Sequence, residues 1–392
     1  MAKMITPDYM NDFSCIGGAC EDTCCAGWKV TVDKKTYQKY RKVQTPNLKK
    51  MLYDVVKRDR KSTTDNNYAK IILKDDGICP MVDEEGLCTI HKELGESYLC
   101  NTCSTYPRMY ADVSHTFEKS LTLSCPEAAR IVLKRPEGIG FIEVEEEITA
   151  LMNSSLSLTK YPYFWDLRIF IIQLIQDRQQ TIENRLIVLG LFLQNIGGIS
   201  EESYQEELPL IMQNYMNRLA DERFIQSLDK LPSRPDFLLR LINSLLMPRV
   251  QTEKDDKYTQ LVIKVAKGLN LGEVEEKKYK EGHKYYYVPF AEKHSYIFEN
   301  YIVNYIFKNL MPYDKGSFLE SYMMLIIHVM LIKAHIIGLA LHEEEITVDS
   351  AVYCIQQIGR AIEHNNVFLN NIRESMVSAE FTTMGHMFSL IK

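Results

Sequence analysis

Nine of the ten cysteines fall between Cys15 and Cys125, and only Cys354 lies outside that stretch. Four arrive nearly together in CIGGACEDTCC, as Cys15, Cys20, Cys24 and Cys25, with Gly17 and Gly18 letting the loop curl so that thiolates can converge. Cys79, Cys88 (in GLCTIH), the CNTC pair Cys100 and Cys103, and Cys125 follow. Thiolates are soft donors that suit zinc or iron–sulfur clusters. The opening MAKMITPDYMNDFSC has no apolar secretory core, so the expected location is cytoplasmic. There thiols stay reduced, and a dense set is expected to hold metal rather than to form disulfides. Cys24 and Cys25 are adjacent, so their side chains diverge. One is expected to ligate while the other packs, serves a second metal or hydrogen-bonds to a cluster sulfide. Nine thiols exceed the four that one cluster needs, which leaves two sites or a partly structural set. Spacing alone leaves zinc and iron–sulfur open. His91, three residues after Cys88, is either a mixed ligand or a surface side chain.

A chain of 392 residues, 46% apolar and 25% charged, suits a globular protein with two or three packing units. The expected fold class is mainly α. A small, irregular, cysteine-rich metal-binding domain with a few short strands spans 1–135, and a larger all-helical domain spans 136–392. In the first, GWKVTVD and YAKIILK alternate like strands, and KTYQKYRKV opens a helix. Pro136, Gly138 and Gly140 punctuate the boundary. Beyond it, FWDLRIFIIQLIQDRQ, ENRLIVLGLFLQNI, RPDFLLRLINSLLM, YTQLVIKVAKGL and SYIFENYIVNYIFKNL carry apolar residues at helical spacing. The charged run Gly272–Lys284 reads as an exposed loop. Tyr322–Leu341 is the most apolar stretch, but His328, Lys333 and His335 inside it favour a buried helix over a membrane span. A net charge of −6 provides no basic excess for nucleic acid and tolerates a cationic protein substrate.

Three cysteine segments, CIGGACEDTCCAGWKVTVDKKTYQKY, CPMVDEEGLCTIHKELGESYLCNTCSTYPR and EKSLTLSCPEAAR, resemble the flagellin lysine-N-methylase (FliB) family. That family is related to cysteine-cluster proteins described as iron- or zinc-chelating. The resemblance continues through FENYIVNYIFKNLMP, GLALHEEEIT and IGRAIEHNNVFL, and is weakest from Ile199 to Tyr285. It implies methylation of flagellin lysines, S-adenosylmethionine as donor and a [4Fe-4S] cluster. It favours iron–sulfur over zinc, with the Cys15–Cys25 group as first ligands, then Cys100 and Cys103, then Cys79, Cys88 and Cys125. A non-catalytic zinc or iron adaptor that captures a partner through the helical domain is the alternative, and an electron-transfer enzyme a third.

The donor site carries no familiar signature. No Gly-rich loop joins a strand to a helix, and the CxxxCxxC of radical enzymes is absent, since Cys20, Cys24 and Cys25 have only its first gap. Arg108 can grip the donor carboxylate, with Tyr106 beside it, or balance cluster charge. Trp28 can stack on adenine or pack in the core. Glu299 and Asn300 can face a pocket or serve the core. Glu363, His364 and Asn365 can supply a base or form an ordinary helix turn. The catalytic residues stay unassigned.

Overall fold

The computed structural model describes residues 2–27, 30–147, 152–251, 256–273, 275–363, 372–374, 376 and 383–392. The protein is mainly helical, with two small sheets. The first sheet is built on β1 (Ala2–Pro7), which runs parallel to β6 (Thr116–Leu121) and antiparallel to β7 (Phe141–Glu146). β5 (Arg108–Val113) pairs with β6, and β8 (Ser154–Leu156) adds to the far edge of β5. The β5–β6 hairpin closes through Ser114 and His115, both with left-handed φ (48° and 72°), as a tight two-residue connection requires.

This sheet bears on two expectations. β7 pairs with β1 along its whole length, so the ladder crosses the boundary drawn at 135/136. The part after 136 also contributes two strands and is therefore not all-helical. Burial follows the same course. Tyr9 and Leu121, together with α5 (Pro126–Leu133), share one apolar core with the helices of the larger body. A buried ion pair reinforces the join: Glu118 on β6 takes both guanidinium nitrogens of Arg168 on α6 (Phe164–Ile175).

A second core lies under the three-stranded sheet β2 (Thr31–Val32), β4 (Ala69–Ile71) and β3 (Val56–Arg58), with α1 (Lys34–Arg41) and α2 (Pro46–Val55). Val32, Tyr40, Leu48, Leu52 and Val56 fill it, together with Cys79 and Cys100. Asp33 caps α1 by accepting from the Thr36 N–H at 2.8 Å.

The larger body comprises α7 (Ile182–Ile196), α8 (Tyr204–Ala220), α9 (Glu222–Asp229), α10 (Pro235–Val250), α11 (Lys257–Leu269), α12 (Glu276–Gly282), α13 (Val288–Lys308), α14 (Phe318–Glu343), α15 (Val348–Ile358) and α16 (Met384–Ile391). The charged run expected as a loop is largely helical: α12 occupies its centre and buries Tyr279. Charges on one face and a buried tyrosine on the other make an amphipathic turn that composition alone reads as solvated.

Among the described residues α14 is the helix long and apolar enough to cross a bilayer, and it is enclosed by the other helices. Most of its buried polar atoms are satisfied internally, with His335 Nε2 left without a hydrogen-bond partner among the described residues. His328 and His335 donate through Nδ1 to the carbonyls of Met324 and Leu331 at 2.7 and 2.8 Å, and Lys333 donates to the Ile391 carbonyl at 2.9 Å. α11 crosses α14 with backbones touching: a Cβ at Gly268 would fall 1.9 Å from the Gly338 oxygen.

Candidate metal centre

The cysteine loop begins with a short 3-10 turn at Gly17–Ala19, where Gly17 has φ of 57°. A Cβ at Gly18 would sit 2.8 Å from the Glu85 carbonyl, so the loop packs closely on the turn before Cys88. The Sγ atoms of Cys24 and Cys25 lie 4.0 Å apart. Their neighbours differ. Cys24 is within electrostatic reach of Cys15 and Cys125, and Cys125 of Cys15 and Cys20. Cys25 instead acts on Cys79, Cys88 and Cys103. The nine thiols thus form two sets that meet at the Cys24–Cys25 pair.

The sets differ in exposure. Cys15 and Cys24 are exposed, with Cys20 and Cys125 intermediate. In the other set Cys79 and Cys100 are buried, and Cys25, Cys88 and Cys103 pack against the same small core. Burial pushes the thiols of Cys79 and Cys125 up to about 11. Cys25 is lowered to about 7, first by its hydrogen bond with Cys24 and further by Thr23 and Arg360, while Cys24 is raised by the same pairing. Cys100 and Cys103 share a proton likewise: Cys100 ionises first, and Cys103 is held well up. Groups of closely placed thiols cannot all ionise without a compensating cation. Donor chemistry and number suit a thiolate-bound metal in each set. Among the described residues no three His, Cys, Asp or Glu side chains yet converge on one point.

One helix of the larger body clamps the first set. Asp22, buried between Cys20 and Cys24, meets Arg360 at 2.6 Å and accepts from the Nε2 atoms of Gln356 and Gln357 at 3.1 and 2.9 Å. Arg360 also donates to the Thr23 and Ala26 carbonyls at 3.1 and 2.8 Å, and Gln356 to the Ser124 carbonyl at 2.8 Å. The loop and the residue before Cys125 are therefore tied to the end of α15. Arg360 lies in a π-helical turn, Gly359–Glu363, a geometry that often marks functional sites. Sequence reasoning missed Asp22, Gln356, Gln357 and Arg360. Asp22 had one available signal, its place between cysteines; the others lie more than 300 residues away along the chain.

Of the residues singled out in the sequence, Tyr106 joins this place. Its hydroxyl is 3.1 Å from Ser124 Oγ, and the side chain lies within reach of Cys24, Cys125 and Arg360. Burial raises its phenol, which keeps its proton. Arg108 sits on β5 with its guanidinium 5.2 Å from the Phe13 ring centre. Glu299 is buried in the helical body, gripped by Arg178 and by Arg185, the latter at 2.8 Å. Asn300 is buried too and donates to the Arg135 carbonyl at 2.9 Å. His91 is exposed on the short helix α3, Thr89–Leu94 in the first half of the chain. Trp28, His364, Asn365 and the Glu363 side chain lie outside the described residues.

Residues 168–390 match the family described as the FliB lysine N-methylase C-terminal domain. A Lysine-N-methylase of Salmonella typhimurium is 31% identical over 189 residues, 48% of this chain and 46% of that one. A Lysine-N-methylase of Salmonella choleraesuis matches to the same extent. The Flagellar biosynthetic protein FliU of Salmonella muenchen is 35% identical over 138 residues, 35% of this chain and 80% of that one. The matched region spans about half the length of the two methylases. No solved structure matches the chain.

Proposed function

Because the chain belongs to the FliB lysine N-methylase family, we propose that it transfers methyl groups from S-adenosylmethionine to lysine ε-amines of flagellin. The observation that carries this reading is the junction of the two parts of the molecule. The exposed thiols lie on a loop that the matched helical region holds through Arg360, Gln356 and Gln357. Cys15, Cys20, Cys24 and Cys125 are the residues that would hold a [4Fe-4S] cluster. Held by all four, such a cluster would supply a rigid anchor for this loop; held by three of them, it would leave one iron open to the donor's amino and carboxylate groups.

The chain's own residues have a definable task. A lysine ammonium, ordinarily near a pKa of about 10.4, has no lone pair with which to attack a methyl group. It becomes a nucleophile where water is excluded or a base accepts its proton, and where nitrogen, methyl carbon and sulfur are aligned. Arg360 and the glutamine pair fix the loop backbone. Tyr106, protonated and hydrogen-bonded to Ser124, offers a rigid aromatic wall beside Cys24 and Cys125. The net charge of −6 favours approach of a lysine-bearing surface. A reducing compartment would keep the thiols free to bind metal.

The test is incubation of the anaerobically purified full chain with flagellin and methyl-labelled S-adenosylmethionine. Label on flagellin lysines is the expected result. Flagellin that binds yet keeps its mass would replace the methylase with an adaptor. A reversible cluster potential without any need for the methyl donor would favour electron transfer.

A further inference from the structure

The clamp by α15 and Arg360 concerns only the first thiol set. The second lies in a different setting, inside the small core beneath the three-stranded sheet. Its strands are two or three residues long, and the segment from Gly77 to Thr105 contains only α3, a 3-10 turn at Glu96–Tyr98 and the short helix α4 (Asn101–Thr105). A subdomain with so little regular structure and so small a core ordinarily needs a covalent or metal staple. The chain brings five thiols to that place. Cys79 is tied back to the cysteine loop, its N–H donating to the Cys25 carbonyl at 2.7 Å. The turn Cys79–Val82 leads into the bridge between Val82 and Cys88. The Cys100 carbonyl accepts from the Cys103 N–H at 2.9 Å, closing the CxxC turn. Cys79, Cys88, Cys100 and Cys103 thus approach one core from three separate turns.

We propose that Cys79, Cys88, Cys100 and Cys103 form a structural zinc site, distinct from the cluster site at Cys15, Cys20, Cys24 and Cys125. Four thiolates with no position left for substrate make a closed tetrahedral centre. Cys79 and Cys100 are buried, and Cys88 and Cys103 are half-buried against the same apolar core, a setting that suits a staple more than a reactive cluster. Binding draws the sulfurs to about 2.3 Å from one ion, from positions in which they share a core without yet sharing a centre. Cys25 marks the divide: its carbonyl holds Cys79, while its neighbour Cys24 turns towards Cys125. The two centres therefore sit on either side of one peptide bond, and the staple would set the position of the reactive loop. This inference concerns metal content and is independent of whether the chain methylates anything.

Zinc and iron would be quantified in the anaerobically purified full chain and in four variants. The wild type is expected to hold one zinc per chain in addition to its iron. Cys88→Ser and Cys100→Ser should lose most zinc and keep most iron, whereas Cys15→Ser and Cys125→Ser should do the reverse. Zinc absorption spectroscopy of the wild type should show four sulfur neighbours at about 2.3 Å, a readout that does not depend on any variant folding. Loss of the same metal from both pairs of variants would mean one shared centre and overturn the proposal. So would zinc below a tenth of an equivalent, or zinc bound by nitrogen and oxygen.

Discussion

Replacing Glu299 by glutamine removes the negative charge that Arg178 and Arg185 share, while leaving the shape of the side chain unchanged. The carboxylate takes three contacts from Arg178, at 3.1, 3.1 and 2.8 Å, and one from Arg185 at 2.8 Å. It is 1% exposed, and the Arg185 side chain is 2% exposed. Arg178 is different, because 43% of its side chain meets solvent. Screening there makes its share of the pairing small. Arg185 decides the magnitude. Burial lowers its pKa, and Glu299 is the first influence opposing that. Glutamine would leave a buried guanidinium without its counter-charge, which destabilises by about 3–5 kcal/mol. For a helical body of this size such a loss lowers the melting temperature by roughly 10 °C. The measurement is thermal unfolding followed by far-ultraviolet circular dichroism, with methyl transfer assayed per folded molecule. Stability should fall and activity per folded molecule should hold. A variant within about 1 kcal/mol of the wild type would refute the clamp. A stable variant without activity would make Glu299 part of the chemistry.

Arg360→Ala removes an ion pair and two carbonyl contacts from the cysteine loop; a local loss of about 2–3 kcal/mol should speed iron release to a chelator several-fold while the helical circular dichroism is retained. Gly268→Ala forces the crossing of α11 and α14 apart and should destabilise by about 3 kcal/mol or more, read by denaturant titration. His335 is fully enclosed and neutral, its pKa lowered to about 4 by burial. The unfolded chain binds this proton below about 6.5 and the folded protein does not, so the contribution is complete above that pH. It is lost as pH falls from 6.5 towards 4, by about 3 kcal/mol in all. His335→Gln should flatten that part of the stability–pH curve, and an unchanged acid limb would show that His335 does not titrate on unfolding.

Helical periodicity was legible because each apolar stripe is a local pattern of period 3.6, and the stretches quoted from the larger body became helices such as α6, α7, α10, α11 and α13. The gathering of thiols in the first third was equally plain, since composition alone shows it. Two kinds of information were not local. β7 reads as a short alternating segment whose membership of the first sheet depends on pairing with β1, more than 130 residues earlier. The role of Glu299 depends on Arg178 and Arg185, whose approach no spacing along the chain foretells.

From the order of its residues alone, this protein is determined to be a mainly helical chain with a thiol-rich first third, because periodicity and composition are properties of neighbours. Only the tertiary structure decided how the thiols divide. The Sγ atoms of Cys24 and Cys25 lie 4.0 Å apart, yet the two thiols have different further neighbours, Cys24 being near Cys15 and Cys125 and Cys25 packing against the small core. That choice rests on contacts such as Asp22 with Arg360 and Gln357, which bring together residues more than 330 positions apart.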